Sequence, residues 1–183
     1  MKIATLPPDE EDRLSALDTF DILDTLPEPA YDDMTRIASQ ICETPIALVS
    51  LVDEQRQWFK SRVGIDTTET PRGIAFCAHA ILQPDELLVV EDTTLDPRFS
   101  DNPLVASAPH LRFYAGAPLV TSSGHALGTL CVIDNKPRKL SPEQLESLRA
   151  LSRQVIAQLE LRMTIKKLES NRRALQSSHD TLE

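Results

Sequence analysis

The chain has 183 residues, 41% of them hydrophobic, and a formal net charge of −9. That is enough apolar material for one core plus an appendage. The acidic balance argues against a nucleic-acid partner. No run approaches the 18 or so apolar residues of a membrane span, and the opening MKIATLPPDEED has no apolar signal core. The segment therefore reads as cytoplasmic, with no membrane contact of its own.

The expected elements begin with a short helix over 9–19, capped by Asp9 after Pro7-Pro8, with Leu14 and Leu17 as its apolar side. A stronger helix follows over 28–43, where Tyr31, Met34, Ile37, Ala38 and Ile41 recur at helical spacing before Pro45. Residues 46–53 are almost all apolar, which predicts a strand covered on both faces. Residues 56–63 alternate: Gln57, Phe59, Ser61 and Val63 on one side, Trp58, Lys60 and Arg62 on the other. The short connection at 53–55 makes these two strands an antiparallel pair. A polar loop over 66–73, a short helix over 74–82 and a strand over 87–91 come next. Residues 92–111 hold three prolines among acidic residues and isolated apolar ones. A loop that long inside one domain marks a lid or binding loop. Strands over 112–120 and 126–134 flank the hairpin turn Ser122-Ser123-Gly124.

The last helix starts at a capping box of Ser141 and Gln144, with Pro142 in the first helical position. It runs uninterrupted to 183, roughly 65 Å at 1.5 Å per residue, whereas a domain of this size is about 35–40 Å across. Leu145, Leu148, Leu151, Val155 and Ile156 suit packing on a sheet. Beyond them Leu161, Leu168, Leu175 and Leu182 stand seven apart, with Gln158, Ile165, Arg172 and His179 in the companion heptad positions. A lone projecting helix with that stripe is not stable in water. The expected partner is a second copy in a parallel homodimer, with Leu161, Ile165, Leu168, Leu175 and Leu182 at the interface. The seam is still in phase at the last residue, so a receiver beyond it is expected.

The runs IALVSLVDEQRQWFKSRVG (46–64), FCAHAIL (76–82), RFYAGAPL (112–119), ALGTLCVID (126–134) and KPRKLSPEQLESLRAL (136–151) together resemble a GAF domain of the bacterial signalling type. RLSALDTFDILDTLPEPAYDDMTRIAS (13–39) is similar to the helical lead-in of such sensors. The resemblance covers about residues 10–160. It implies an α+β fold: an antiparallel sheet with helices on one face, and short helices and loops enclosing a pocket on the other. The chain then divides into a lead-in over 1–27, a GAF core over 28–140 and a helix over 141–183 that leaves the sheet near 160. The resemblance also implies service to an output domain of the histidine kinase or diguanylate cyclase class. The Asn-Lys-x(n)-Phe-x(3)-Asp-Glu signature of cyclic-nucleotide-binding members is absent. Bilin-binding members usually have Cys directly followed by His, but Cys77 is followed by Ala78 and then His79. No covalent bilin is therefore expected, and no other cofactor is specified.

Cys42, Cys77 and Cys131 are scattered, with no Cys-x-x-Cys, and read as reduced core thiols. His79, His110, His125 and His179 show no metal-ligand spacing. Cys77 and His79 lie two apart on a helix and point away from each other. Cys77 and Cys131 both fall in pocket-forming runs, which leaves their approach in space open. The candidate pocket wall is Phe59, Phe76, His79, Phe99, Tyr114, Thr129 and Cys131, apolar surface with a few polar groups; the alternative is that these residues are simply core. Gly116, inside a strand, either admits another backbone or leaves room for a ligand. The reading favoured is a non-enzymatic sensory module for an unnamed small molecule, relaying through its helix. A ligand-free dimerisation spacer and a thiol oxidoreductase, such as a free methionine sulfoxide reductase, are the alternatives.

Overall fold

The computed structural model describes residues 1–181. It holds one six-stranded sheet, entirely antiparallel, in the order β3-β2-β1-β6-β5-β4. The strands are β1 (Ile46–Val52), β2 (Arg56–Val63), β3 (Glu69–Pro71), β4 (Leu88–Val90), β5 (Phe113–Val120) and β6 (Ala126–Asp134). The central strands β1, β6 and β5 are the most apolar, since both of their faces are covered. One face carries α1 (Glu10–Thr19), α2 (Pro29–Cys42) and α5 (Pro142–Asp180). The other carries α3 (Cys77–Ala80), α4 (Pro103–Ala106) and the connections around them.

The central strands divide their side chains between the two cores. On β1, Ala47, Val49 and Leu51 meet the helices, while Leu48 and Val52 meet the loops. On β5, Phe113, Ala115, Ala117 and Leu119 face the helices and Tyr114 faces the loops. The alternation expected on β2 fails midway. Val49 pairs with Ser61 but Ser50 pairs with Phe59, so Lys60 is an extra residue in a β-bulge. The bulge turns Ser61 from the side of Phe59 to the helix side, where its hydroxyl donates to Asp32 and lies 2.8 Å from Thr35 Oγ1.

The lead-in is fastened by charge. Arg13 is fully buried, donates to both Glu10 carboxylate oxygens and gives a 2.7 Å hydrogen bond to the Val52 carbonyl. Arg72 reaches the same carboxylate and the Asp53 carbonyl. Burial would raise the Glu10 pKa, but the two guanidinium groups bring it down to about 2. Asp9 does not cap α1 with its side chain, as the sequence had suggested. Its carboxylate lies 2.8 Å from His125 Nδ1 instead. Ile37 and Ile41 are likewise not in the core: they are more than a third exposed on α2, whose buried side is Tyr31, Thr35, Ala38 and Cys42.

Helix α5 begins with the expected capping box: Gln144 N donates to Ser141 Oγ, and Ser141 N donates to Gln144 Oε1. Leu148, Ser152, Val155, Ile156 and Leu159 are buried against the sheet and α2. From residue 164 to 181 every residue is exposed. Arg162 marks the transition, donating to Glu28 and to the carbonyls of Phe20 and Asp21. No helix among the described residues is long and apolar enough to cross a membrane.

Candidate functional site

The loop face of the sheet has a polar centre inside an aromatic shell. The segment after β3 forms a 3-10 turn over Arg72–Ile74 and then the four-residue α3, shorter than the helix expected over 74–82. This brings Cys77 down onto β5 and β6. The long 92–111 segment is also partly ordered into structure, with a 3-10 turn at Thr93–Leu95 and α4. Asn102 caps α4 and donates to the Ile74 carbonyl, which ties this segment to the one before α3. Phe99 is thereby carried over the sheet.

Cys77 Sγ lies 2.9 Å from Thr129 Oγ1 and 3.2 Å from Tyr114 Oη, and the two hydroxyls are 3.3 Å apart. Cys131 and Ser50 are buried residues of the strands on the same side, and both bear on the acidity of this sulfur. Ser50 Oγ is buried with no hydrogen-bond partner among the described residues. Burial would push the Cys77 thiol up. The polar groups around it, Cys131 foremost, then Ser50, Thr129 and Tyr114, outweigh burial and bring the pKa down to about 7. Cys131 moves the other way: burial and the neighbouring Cys77 push it well above the usual thiol range. Burial, then the charge on the two sulfurs, likewise raises Tyr114. The shifts thus run in opposite directions, down at Cys77 and up at Cys131 and Tyr114.

Gly116 makes this arrangement fit. A Cβ there would stand 2.3 Å from Tyr114 Oη. The space is therefore taken by the tyrosine of the same strand, neither by another backbone nor by a ligand. Gly116 pairs with Cys131 across the sheet, so the Tyr114 hydroxyl is held beside both cysteines.

Of the sequence-predicted pocket residues, Phe59, Phe76, Phe99, Tyr114 and Cys131 fall in one buried cluster. Thr129 bonds within it. Phe76 and Phe99 stack with centroids 4.1 Å apart and planes within 8°, and Phe76 meets Tyr114 at 5.2 Å. The rings pack on one another across the centre of the loop face. His79 stands at the rim, edge-on to Phe99 at 4.9 Å, and points away from Cys77. Burial, and the cations Arg98 and Lys2, lower its pKa. Its Nε2 lies 3.1 Å from the carbonyl of Lys2, in an N-terminal strap whose α-amino group pairs with Asp101. A surface cleft of about 360 Å³ lies beside this strap, lined by Lys2, Ala4, Thr5, His79, Gln83 and Arg98 among others. Sequence reasoning missed Cys77 as the hub. The available signal was Ser50, a polar residue inside the apolar run IALVSLV.

The GAF domain family model matches residues 27–159. The chain belongs to the GAF domain family. A cyclic di-GMP phosphodiesterase of Pseudomonas aeruginosa is 44% identical over 154 residues, which is 84% of this chain and 26% of that protein. The chain thus spans about a quarter of that relative's length. Among solved structures, the GAF domain of an Acinetobacter phosphoenolpyruvate-protein phosphotransferase is similar with a TM-score of 0.60 and 17% identity, covering 84% of this chain and 98% of that one. A type II free methionine-R-sulfoxide reductase from Thermoplasma acidophilum gives a TM-score of 0.55 and 17% identity, covering 71% of this chain and 91% of that one. At such identities the two structures speak for the fold alone.

Proposed function

We propose that this chain is the regulatory module of a longer signalling protein, and that it works as a parallel homodimer passing a change in its loop face down α5 to an output domain. The observation that carries the reading is the change of surroundings along α5. The helix is core up to Leu159, yet Leu161 is 52%, Ile165 47%, Leu168 62% and Leu175 72% exposed in a heptad register. Leu182, the next residue of that register, lies outside the described residues. Such a strip is costly for a single helix and suits a two-stranded seam. Counting back in the same register reaches Leu151 and Gln144, and Gln144 Nε2 donates to the Ile41 carbonyl. The exposed Ile37 and Ile41 of α2 continue the strip at the domain end.

The output domain proposed is one that turns over a cyclic dinucleotide, since the relative of that class matches over 84% of this chain. The histidine kinase and diguanylate cyclase classes are the alternatives. The input is placed at Phe59, Phe76, His79, Phe99, Tyr114, Thr129 and Cys131, with the small-molecule ligand unnamed. A second reading, the ligand-free spacer, is favoured by the 4.1 Å stack of Phe76 on Phe99, which a ligand would have to part.

Light scattering tests the proposal. Leu161→Asp combined with Leu168→Asp should give a folded monomer where the unaltered chain is a dimer. A double variant that still dimerises at micromolar concentration would put the interface on the globular part and remove α5 as the relay.

A further inference from the structure

The loop face holds more chemistry than a ligand pocket requires. Two thiols and three hydroxyls meet in a space sealed from water: Ser50, Cys77, Tyr114, Thr129 and Cys131 are all 0–1% exposed. Burying polar groups without need costs stability, and the partnerless Ser50 hydroxyl is a further cost. The arrangement has a direction as well. Thr129 and Cys131 sit two apart on β6 and so share a face. Cys77 Sγ touches Thr129 and Tyr114 at 2.9 and 3.2 Å. The Tyr114 hydroxyl lies over Gly116, the cross-strand partner of Cys131. Three contacts therefore bring Cys77 to the same small patch of sheet that Cys131 occupies. The two residues lie on different elements, α3 and β6, so a bond between them would tie α3 to the sheet.

We propose that Cys77 and Cys131 form a peroxide-oxidised dithiol switch, in which Cys77 attacks a hydroperoxide and Cys131 resolves it to an intramolecular disulfide. The step balances. The Cys77 sulfur attacks the terminal peroxide oxygen, the O–O bond breaks, and the released alkoxide leaves as the alcohol with the Cys77 proton. The resulting sulfenic sulfur is attacked by Cys131, its S–O bond breaks, and the hydroxide leaves as water with the Cys131 proton. The two thiols give up two electrons and the hydroperoxide accepts them. The hydroxyls of Thr129 and Tyr114 are placed to donate to the Cys77 sulfur as its proton passes to the leaving alkoxide. A low-pKa cysteine beside a second cysteine is the usual arrangement of an attacking and a resolving thiol. Cys77 is only 1% exposed, so an oxidant reaches it when the loop face opens, and reaction reports that opening. Cys42 provides an internal control: it lies on α2 behind the sheet, in the other core, and burial raises its pKa to about 11.

The disulfide does not depend on the relay reading. The test treats the whole chain with tert-butyl hydroperoxide, then denatures it and alkylates the free thiols before intact-mass and peptide analysis. Oxidised protein should carry one alkyl group, on Cys42, with a Cys77–Cys131 linked peptide that a reductant removes. Cys131→Ser should stop at a sulfenic acid on Cys77, trapped by dimedone. Thr129→Val should slow the loss of Cys77 severalfold, because the sulfur loses one of its two hydroxyl partners. Three alkylated cysteines after oxidation, a link that includes Cys42, or Cys77 over-oxidised without a link would each overturn the proposal. These readouts come from the unaltered chain, so a misfolded variant does not blur them. Light scattering of the same samples reports separately on the dimer.

Discussion

The two halves of α5 have similar sequence patterns and opposite surroundings. Up to Leu159 the apolar side chains are buried against β5, β6 and α2; beyond Arg162 side chains of the same kind stand in water. Apolar spacing alone did not decide which half would be core. The sheet simply ends, and the helix continues past it. The first half therefore contributes to the stability of one chain, while the second contributes only where another surface covers it.

The largest expected difference follows directly. Leu159→Ala should destabilise the domain by about 2–5 kcal/mol, the usual cost of emptying a packed core position. Leu168→Ala should leave the monomer's denaturation midpoint unchanged and weaken only association. Equal losses at the two positions in urea titrations at low protein concentration would break the comparison.

The boundary between the halves is expected to be the next most sensitive point. Arg162 holds Glu28 and two carbonyls of the α1–α2 connection, and Lys60 Nζ reaches Glu28 at 2.6 Å. Arg162→Met should cost about 1.5–3 kcal/mol through lost charged hydrogen bonds. It should also speed amide exchange in residues 161–166, where unchanged exchange would show that the clamp holds nothing. Ser141→Ala, at the other end of the helix, should cost about 1 kcal/mol and leave exchange beyond Arg162 alone.

Acid should act on the lead-in and on the clamp together. Burial would raise the Glu28 pKa, but Lys60 and Arg162 outweigh it and hold it below its ordinary value. Glu10 is held at about 2. For carboxylates lowered in this way, the stabilisation is complete above the unfolded-state pKa near 4.5 and is lost as pH falls through the lowered value. Unfolding free energy should therefore fall from about pH 5 toward pH 2, and Glu10→Gln should flatten that slope. A variant with the same acid slope as the unaltered chain would show that the Glu10 pair is not what acid breaks.

The sequence made the regular parts of this fold legible. β1, β2, β5 and β6 follow from apolar runs bounded by turn residues, and α5 from its capping box and heptads. The Lys60 bulge was not legible, because one extra residue in β2 is visible only against the register of β1. Nor was the docking of α1, which depends on an arginine aimed at a backbone carbonyl thirty-nine residues away. At the candidate site, the aromatic residues were read from their places in strands and loops. The hub at Cys77 was missed because it sits on one short helix and its neighbours come from three strands. Short-range spacing carries no record of such a meeting.

Cysteine cross-linking along α5 tests the central claim most directly. Single cysteines placed from 161 to 175 are oxidised in turn, with the native cysteines buried in the folded domain. A parallel in-register seam predicts strong self-linking at Leu161, Ile165, Leu168, Arg172 and Leu175, and weak linking at Lys167, Glu169 and Arg173. Uniform or absent linking, with the chain still dimeric, would contradict the account.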